Sequence, residues 1–258
     1  MELIKPIIQV GNSAGVILPK KWLNGEAKII LIKKPQNIKQ EVLSILEEEL
    51  PSIIGLYVVG SYARREQNAK SDIDILGITT NVDKRIKKGK YEIILISHKK
   101  LERALKENIL PLLPMLREAL PIINKNKIEE YGKYSITKNN IKWHIETTIS
   151  ALKLAKETID FFKEDNKNVS DNIIYSLVLR LREVYIVKCL IQNKIANNSE
   201  LISIIKDICG SLDAYKAYQR SKSGIKAKKR VSIKEAESIY NYALFEIEEQ
   251  RKWIKRKD

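Results

Sequence analysis

The segment VVGSYARREQNAKSDIDILGI, from Val58 to Ile78, constrains the fold more than any other part of the sequence. It begins at the end of the apolar run IIGLYVVG, which is typical of a short buried strand, and leads into SDIDILGIT, which is typical of a second strand. Between the two strands, SYARREQ is predicted to form a helical turn. Strands mixed with helices in this way indicate an α/β or α+β unit.

Two aspartates, Asp72 and Asp74, lie one residue apart at the start of the second strand. Because side chains alternate between the faces of a strand, both carboxylates project from one side while Ile73 and Ile75 point into the core. Two carboxylates about 4 Å apart repel each other by about 4 kcal/mol at an effective dielectric constant of about 20. A divalent cation removes that cost, and oxygen ligands favour Mg²⁺ or Mn²⁺. Taken alone, the pair also fits a strand end with two solvated acids.

The residues that follow the first strand favour the metal site. Gly60 permits a phosphate to approach the backbone closely, and the start of the following helix offers free N–H groups together with the Ser61 hydroxyl. Arg64 or Arg65 adds a cation one turn later. A phosphate-binding turn beside a pair of metal-binding carboxylates is what nucleoside triphosphate chemistry requires.

The blocks GSYARRE and SDIDI, with ten residues between Ser61 and Asp72, resemble the signature of minimal nucleotidyltransferases of the DNA polymerase β superfamily. The resemblance covers about residues 37–125. It implies transfer of a nucleoside monophosphate from a nucleoside triphosphate (NTP) to a hydroxyl group with the help of two metal ions. We expect ATP to be the donor and AMP to be the group transferred.

The same resemblance implies a third carboxylate on a neighbouring strand. The segment KYEIILIS offers Glu92 in strand register, where it would complete the site and accept the proton of the attacking hydroxyl. Asp83 is the alternative, but its segment, TTNVDKRIKKGK, reads as a loop. We therefore predict that Glu92 joins Asp72 and Asp74.

The first 34 residues read as short strands, IIQV, VILP and AKIILIKK, with the turn GNSAG between the first two. The spacing from VGNSAG to LPK, followed by Trp22 and Leu23, resembles the SpoVT-AbrB domain of MazE-like antitoxins and transition-state regulators. A piece of this size is too small to hold a core alone, so the resemblance implies that two chains interleave their hairpins into a homodimer.

That resemblance also implies a DNA-binding surface. Its predicted contacts are Lys5, Asn12, Lys20 and Lys21. The alternative is that residues 1–34 serve only for dimerisation, since this copy is poor in the arginines of typical DNA-binding members.

The last part of the sequence, residues 135–258, is predicted to be a four-helix bundle. Four stripes of apolar residues at helical spacing begin near Ile141, Ile173, Leu201 and Ile233. Such a bundle resembles the HEPN-type or substrate-binding helical domains that accompany nucleotidyltransferases. An HEPN ribonuclease site is excluded, because neither histidine, His98 or His144, follows an arginine at the required spacing.

A basic cluster, YKAYQRSKSGIKAKKR, runs from Tyr215 to Arg230 and is predicted to be a loop between the third and fourth helices. It is either a solvated loop or a contact for a triphosphate or an RNA backbone.

Composition limits the classes of partner. The chain has 47 Lys+Arg and 32 Asp+Glu residues, a formal net charge of +15, which favours polyanionic partners but also fits a lysine-rich solvated surface. No apolar run approaches the roughly 20 residues of a membrane span, and no secretory signal is visible. With two cysteines, Cys189 and Cys209, a disulfide scaffold is excluded and a reducing cytoplasmic location is expected.

These observations predict an α+β multidomain protein: a swapped-hairpin dimerisation module (1–34), a mixed-sheet nucleotidyltransferase core (37–125) and a four-helix bundle (135–258). The function expected is a metal-dependent nucleotidyltransferase that modifies a hydroxyl of a protein or tRNA, by analogy within a toxin–antitoxin pair. Two alternatives stay open. One is a transcriptional regulator that senses a nucleotide without catalysis, and the other is a small-molecule modifier resembling aminoglycoside nucleotidyltransferases.

Overall fold

The computed structural model describes residues 3–30, 37–69, 71–165, 167–225 and 231–256. By contacts between residues the chain divides into two compact units, Met1–Ile38 and Lys39–Asp258.

The first unit contains an antiparallel hairpin of β1 (Ile8–Val10) and β2 (Ser13–Gly15), followed by a short 3-10 helix at Lys20–Trp22. The predicted strand VILP is wrong: residues 16–19 are irregular, because the hairpin closes with a two-residue turn and its second strand falls within GNSAG. Residues 27–30 of the predicted strand AKIILIKK are also irregular, and residues 31–34 lie outside the described part of the chain.

The second unit is built on a five-stranded sheet. Its strands are β3 (Ile53–Val59), β4 (Ile73–Thr79), β5 (Lys84–Lys88), β6 (Tyr91–Ser97) and β7 (Leu120–Ile123). The helix α1 (Ile38–Ile45) precedes β3, and the short helix α2 (Gly60–Ala63) follows it. The strand order is β5-β6-β4-β3-β7. The pair β4–β6 is parallel and the other pairs are antiparallel, so the predicted mixed sheet is confirmed.

Two strands lie where other structure was predicted. The strand β5 occupies the segment that was predicted as a loop around Asp83. The strand β7 occupies the end of LKENILPLLPMLREALPIIN, an apolar segment whose three prolines predict short helices. The helices of that region are α3 (His98–Glu107), α4 (Leu112–Glu118) and α5 (Lys125–Gly132).

The central strand β4 is buried on both faces. Ile73 and Ile75 are at most 1% exposed, as predicted for core residues, and Leu76 and Ile78 on the opposite face are 0% exposed. The second face belongs to a hydrophobic core that continues from β3, β4 and β6 through α3, α4 and α5 into the C-terminal helices. By strand alternation this is also the face that carries Asp74.

The C-terminal helices are α6 (Lys138–Glu164), α7 (Asp171–Ile191), α8 (Asn198–Cys209), α9 (Asp213–Lys222) and α10 (Ile233–Lys255). The predicted number of four is wrong for the described residues, because the third stripe is broken at Gly210, which has φ +70° and ends α8. The segment SIKE has the spacing of a capping box, and Ser232 and Glu235 form one at the start of α10.

The break also changes the interpretation of the basic cluster. Its first part, Tyr215 to Lys222, is helical and belongs to α9, so the prediction of a loop is wrong there. Residues 226–230 of the cluster lie outside the described residues. Within the described ranges, no helix is both long and apolar enough to cross a membrane.

Candidate active site

The turn that follows β3 is pressed directly against Asp74. Gly60 has φ +71°, a left-handed conformation that favours glycine, and a Cβ at this position would lie 2.2 Å from the Asp74 Oδ2. The antiparallel pairing of β3 with β4 sets this contact, because Val59 lies opposite Asp74. The helix α2 after the turn is a single turn of four residues and carries Ser61.

The sheet register brings the predicted third carboxylate to the same place. In the parallel pair β4–β6, Asp74 lies directly opposite Glu92, and Asp72 lies just before β4 on the same face. All three side chains line one cleft together with Gly60 and Ser61. Asp72 is exposed, whereas Asp74 and Glu92 are partly buried.

Asp83, the alternative third carboxylate, lies elsewhere. Its Oδ1 accepts a hydrogen bond from the Ser97 N–H at 3.0 Å and forms an ion pair with Lys100 Nζ at 3.7 Å. Ser97 is the last residue of β6, whereas Glu92 is near its beginning. Asp83 is not among the residues that line the cleft.

The surroundings of Asp74 disfavour the charged form of its carboxyl. Burial raises the pKa of its carboxyl above the ordinary value, and the charges of Glu92, Asp72 and Glu118 raise this pKa further, while Arg64 opposes them. A bound cation would relieve this repulsion.

The residues of the cleft offer oxygen ligands for a divalent metal. Three carboxylates on one edge of the sheet supply the oxygen ligands that Mg²⁺ and Mn²⁺ prefer. Among the described residues no group of three His, Cys, Asp or Glu side chains is arranged to hold a metal ion, and Glu92 instead accepts a hydrogen bond from Lys87 Nζ at 2.5 Å. The residue types therefore fit the metal, provided that Glu92 leaves Lys87.

A further carboxylate, Glu118, was missed by the sequence analysis. Its Oε1 accepts a hydrogen bond from the Gly60 N–H at 2.6 Å, and its Oε2 accepts one from Arg64 Nη1 at 2.5 Å. Glu118 belongs to no motif. Only the pairing of β7 with β3 brings Glu118 to this turn, and that pairing is not readable from the sequence.

The two arginines predicted to contact phosphate differ in position. Arg64 lines the cleft, but its guanidinium is held by Glu118 and by Glu66, whose Oε2 accepts from Arg64 Nε at 2.8 Å. Arg65 is exposed, has φ +60°, and is not among the residues that line the cleft.

The cleft is a cavity of about 1400 Å³ between the sheet and the helices α7, α8 and α9. Two cations from the helical side, Arg182 and Lys194, face it and have no ion-pair partner in the part of the chain that the structure describes. Tyr215 and Tyr218 of α9 also line it and stack at 6.0 Å between ring centroids. The sequence analysis named Tyr215 in the basic cluster but did not find Arg182, Lys194 or Tyr218 as cleft residues.

The predicted DNA contacts all belong to the first unit and are exposed. Asn12 lies in the turn of the β1–β2 hairpin, Lys20 and Lys21 lie in the 3-10 helix, and Lys5 precedes β1. Their role in DNA binding stays a prediction.

The match to a known family covers the residues that form this site. Residues 39–144 match the family of nucleotidyltransferase domains. The predicted superfamily is thereby confirmed for this region, and so is the predicted enzyme class, a nucleotide-transferring transferase. The resemblance of residues 1–34 to SpoVT-AbrB domains stays a prediction.

Solved structures of two other proteins are similar to this chain at low identity. One is a nucleotidyltransferase-like protein from Exiguobacterium sibiricum (13% identity, TM-score 0.36, covering 83% of this chain and 76% of the other). The second is a spectinomycin adenyltransferase from Enterococcus faecialis, solved with ATP and spectinomycin (14%, TM-score 0.40, 81% and 97%). Both TM-scores are below 0.5, too low to support an inference. No curated protein matches the sequence significantly.

Proposed function

We propose that the nucleotidyltransferase domain transfers AMP from ATP to a hydroxyl group of a protein or tRNA in the cytoplasm, with Mg²⁺ or Mn²⁺ held by Asp72, Asp74 and Glu92. The hydroxyl oxygen forms a bond to the α-phosphorus, and the bond from that phosphorus to the leaving pyrophosphate breaks. One observation carries the proposal. The Gly60 turn contacts Asp74, and Asp74 lies opposite Glu92, so a phosphate-binding turn and three carboxylates share one cleft.

Different residues of the cleft bind the triphosphate and accept the proton of the hydroxyl. The Ser61 hydroxyl and the backbone N–H groups that follow Gly60 bind the phosphates, whereas the Gly60 N–H itself donates to Glu118. The dipole of α2 adds little because the helix is one turn long. Arg182 and Lys194 neutralise the triphosphate from the opposite wall. Glu92, released from Lys87, accepts the proton of the attacking hydroxyl. When bound, the metal ions neutralise the triphosphate and favour ionisation of that hydroxyl.

The test is incubation of the protein with each labelled NTP, Mg²⁺ and cell extract. We expect label to reach a macromolecule, and we expect Asp74→Asn to lower the rate by about a thousandfold, since a metal site supplies several kcal/mol of transition-state stabilisation. Label transfer that does not depend on Asp74 would contradict the enzyme assignment to this site.

A second candidate function is supported by a different observation. Glu92 is engaged by Lys87, and no metal cluster is preformed among the described residues, which is what a nucleotide sensor without catalysis would show. In that case the first unit binds DNA through Lys5, Asn12, Lys20 and Lys21, and the protein regulates transcription as a homodimer. Nucleotide binding without label transfer, together with a salt-dependent gel shift on the protein's own promoter, would favour this candidate.

A further inference from the structure

Glu118 is a carboxylate without a role in the function proposed above, although it contacts the phosphate-binding turn. It is the last residue of α4, and its side chain is 8% exposed. Both of its oxygens are used, one by the Gly60 N–H and the other by the Arg64 guanidinium. A buried charge with two such short contacts is strongly held in place.

The register of the sheet explains why Glu118 meets Gly60. In the antiparallel pair β3–β7, Val58 lies opposite Leu120. Two residues further in each direction, Gly60 comes opposite Glu118. The contact is thus an extension of the strand pairing, and it clamps the turn between Glu118 on one side and Asp74 on the other.

Arg64 extends the same network towards the helical wall. Its guanidinium is bound by Glu118 and by Glu66, and the Oε1 of Glu66 accepts a hydrogen bond from the N–H of Asn198 at 2.8 Å. Asn198 is the first residue of α8. The turn is therefore connected through Arg64 to one of the helices that line the cleft.

We propose that Glu118 is a positioning residue for nucleotide binding, which fixes the Gly60–Ser61 turn in its left-handed conformation, and that Arg64 acts through Glu118 and not as a phosphate contact. The proposal rests on the proposed role of this turn as the phosphate-binding element. The opposing interpretation is that Glu118 imitates a phosphate and is displaced when the nucleotide arrives. The two interpretations predict effects of opposite sign.

The experiment measures the dissociation constant of ATP with Mg²⁺ for the full-length protein, by calorimetry and without an acceptor. We expect Glu118→Ala to weaken ATP binding about tenfold, because the Gly60 N–H loses its acceptor and the turn its support. Glu118→Gln retains an oxygen for the Gly60 N–H and should recover most of the affinity, to within about threefold of the unsubstituted protein. The matched control is Glu129→Ala, an exposed glutamate of α5, which should change nothing.

A double substitution tests the part played by Arg64. If Arg64 acts through Glu118, adding Arg64→Gln to Glu118→Ala should leave the dissociation constant within about twofold of the single variant. A further tenfold loss would show a direct contact of Arg64 with the phosphates and overturn that half of the proposal. Should Glu118→Ala not fold, Glu118→Asp takes its place: its carboxylate is one methylene shorter and is withdrawn from the Gly60 N–H, so we expect weaker ATP binding, and Arg64→Gln is then added to this variant.

The outcomes separate this inference from the function on which it rests. Tighter ATP binding by Glu118→Ala would show a displaceable anion, and unchanged binding would show a passive side chain; either result overturns the inference alone. If the unsubstituted protein binds no NTP, the proposed function fails and the inference fails with it.

Discussion

At the scale of single residues, Asp74 has a close neighbour on each of three sides. Gly60 contacts its carboxylate, Glu92 lies opposite on β6, and Asp72 precedes it on the same face. The spacing of the two aspartates was readable from the sequence because strand alternation is a local property. Glu92 was predicted because the family resemblance implies a third carboxylate on a neighbouring strand, and the strand segment KYEIILIS offers Glu92 there.

The choice between Glu92 and Asp83 leads to a prediction. Glu92→Gln should lower label transfer at least about a hundredfold, because it removes a metal ligand and the base for the attacking hydroxyl. Asp83→Asn should leave the rate within about twofold and cost about 1 kcal/mol of stability, since Asp83 bonds the Ser97 N–H. Rates from the labelled-NTP assay and urea unfolding curves measure both effects. The reverse order of activity losses would identify Asp83 as the third carboxylate.

At the scale of elements, the strands that the sequence predicted and those that it did not predict occupy different positions in the sheet. The interior strands β3, β4 and β6 were predicted from the sequence, and both edge strands, β5 and β7, were missed. Interior strands buried on both faces read as apolar runs. Edge strands carry residues that discourage further pairing, here the lysines of KRIKK and Pro121, so their sequences resemble loops.

Helix packing leads to a prediction at this scale, which concerns His144 on α6. This side chain is 1% exposed, its Nε2 lies 3.2 Å from Gln250 Oε1 of α10, and Gln250 in turn donates to the Val184 carbonyl of α7. In the sequence His144 stands beside Trp143 on a predicted helix, which favours a packed or surface histidine over a ligand, and the structure shows it packed. Burial lowers the pKa of His144 from its ordinary 6.5 to about 4.

The sign of the resulting pH dependence follows from proton uptake. Below about pH 6.5 the unfolded chain binds a proton at His144 that the folded protein does not bind until about pH 4, so acid favours unfolding. We expect the free energy of unfolding to fall by about 1 kcal/mol between pH 7 and 5.5. Urea unfolding at both pH values should show this fall, and His144→Gln should remove it. An equal fall in the variant would assign the effect to other groups.

At the scale of the whole molecule, the first unit leaves an unusual amount of apolar surface exposed. Ten large hydrophobic side chains between Leu3 and Ile30 are at least 37% exposed, among them Ile17 at 69%. A hairpin with so little core of its own needs another surface to cover these residues. This observation supports the proposed homodimer, in which a second copy of the hairpin supplies that surface.

A substitution on this surface tests the dimer. Ile17→Glu should weaken self-association at least about tenfold, since it removes about 1.5–3 kcal/mol of apolar burial and introduces a charge. Leu154→Glu on α6 is the matched control, because Leu154 is exposed to a similar extent, 65%, but lies outside the first unit. Analytical ultracentrifugation of the full chain measures both variants. A protein that is monomeric before substitution, or a dimer indifferent to Ile17→Glu, would contradict the proposal.

The sequence by itself determined the parts of this protein that depend on neighbouring residues. These are the Gly60–Ser61 turn, the aspartate pair, the interior strands and the helical C-terminal region, because turn chemistry, strand alternation and helical spacing act over a few residues. Only the tertiary structure decided which distant groups meet them. Glu118 reaches Gly60 across 58 residues, Arg182 lines the cleft from α7, and Lys194 lines it from the segment between α7 and α8. Such contacts arise from the pairing of edge strands and the packing of helices. The sequence pattern of a strand or helix indicates which of its residues are buried, but it does not indicate which other element covers them.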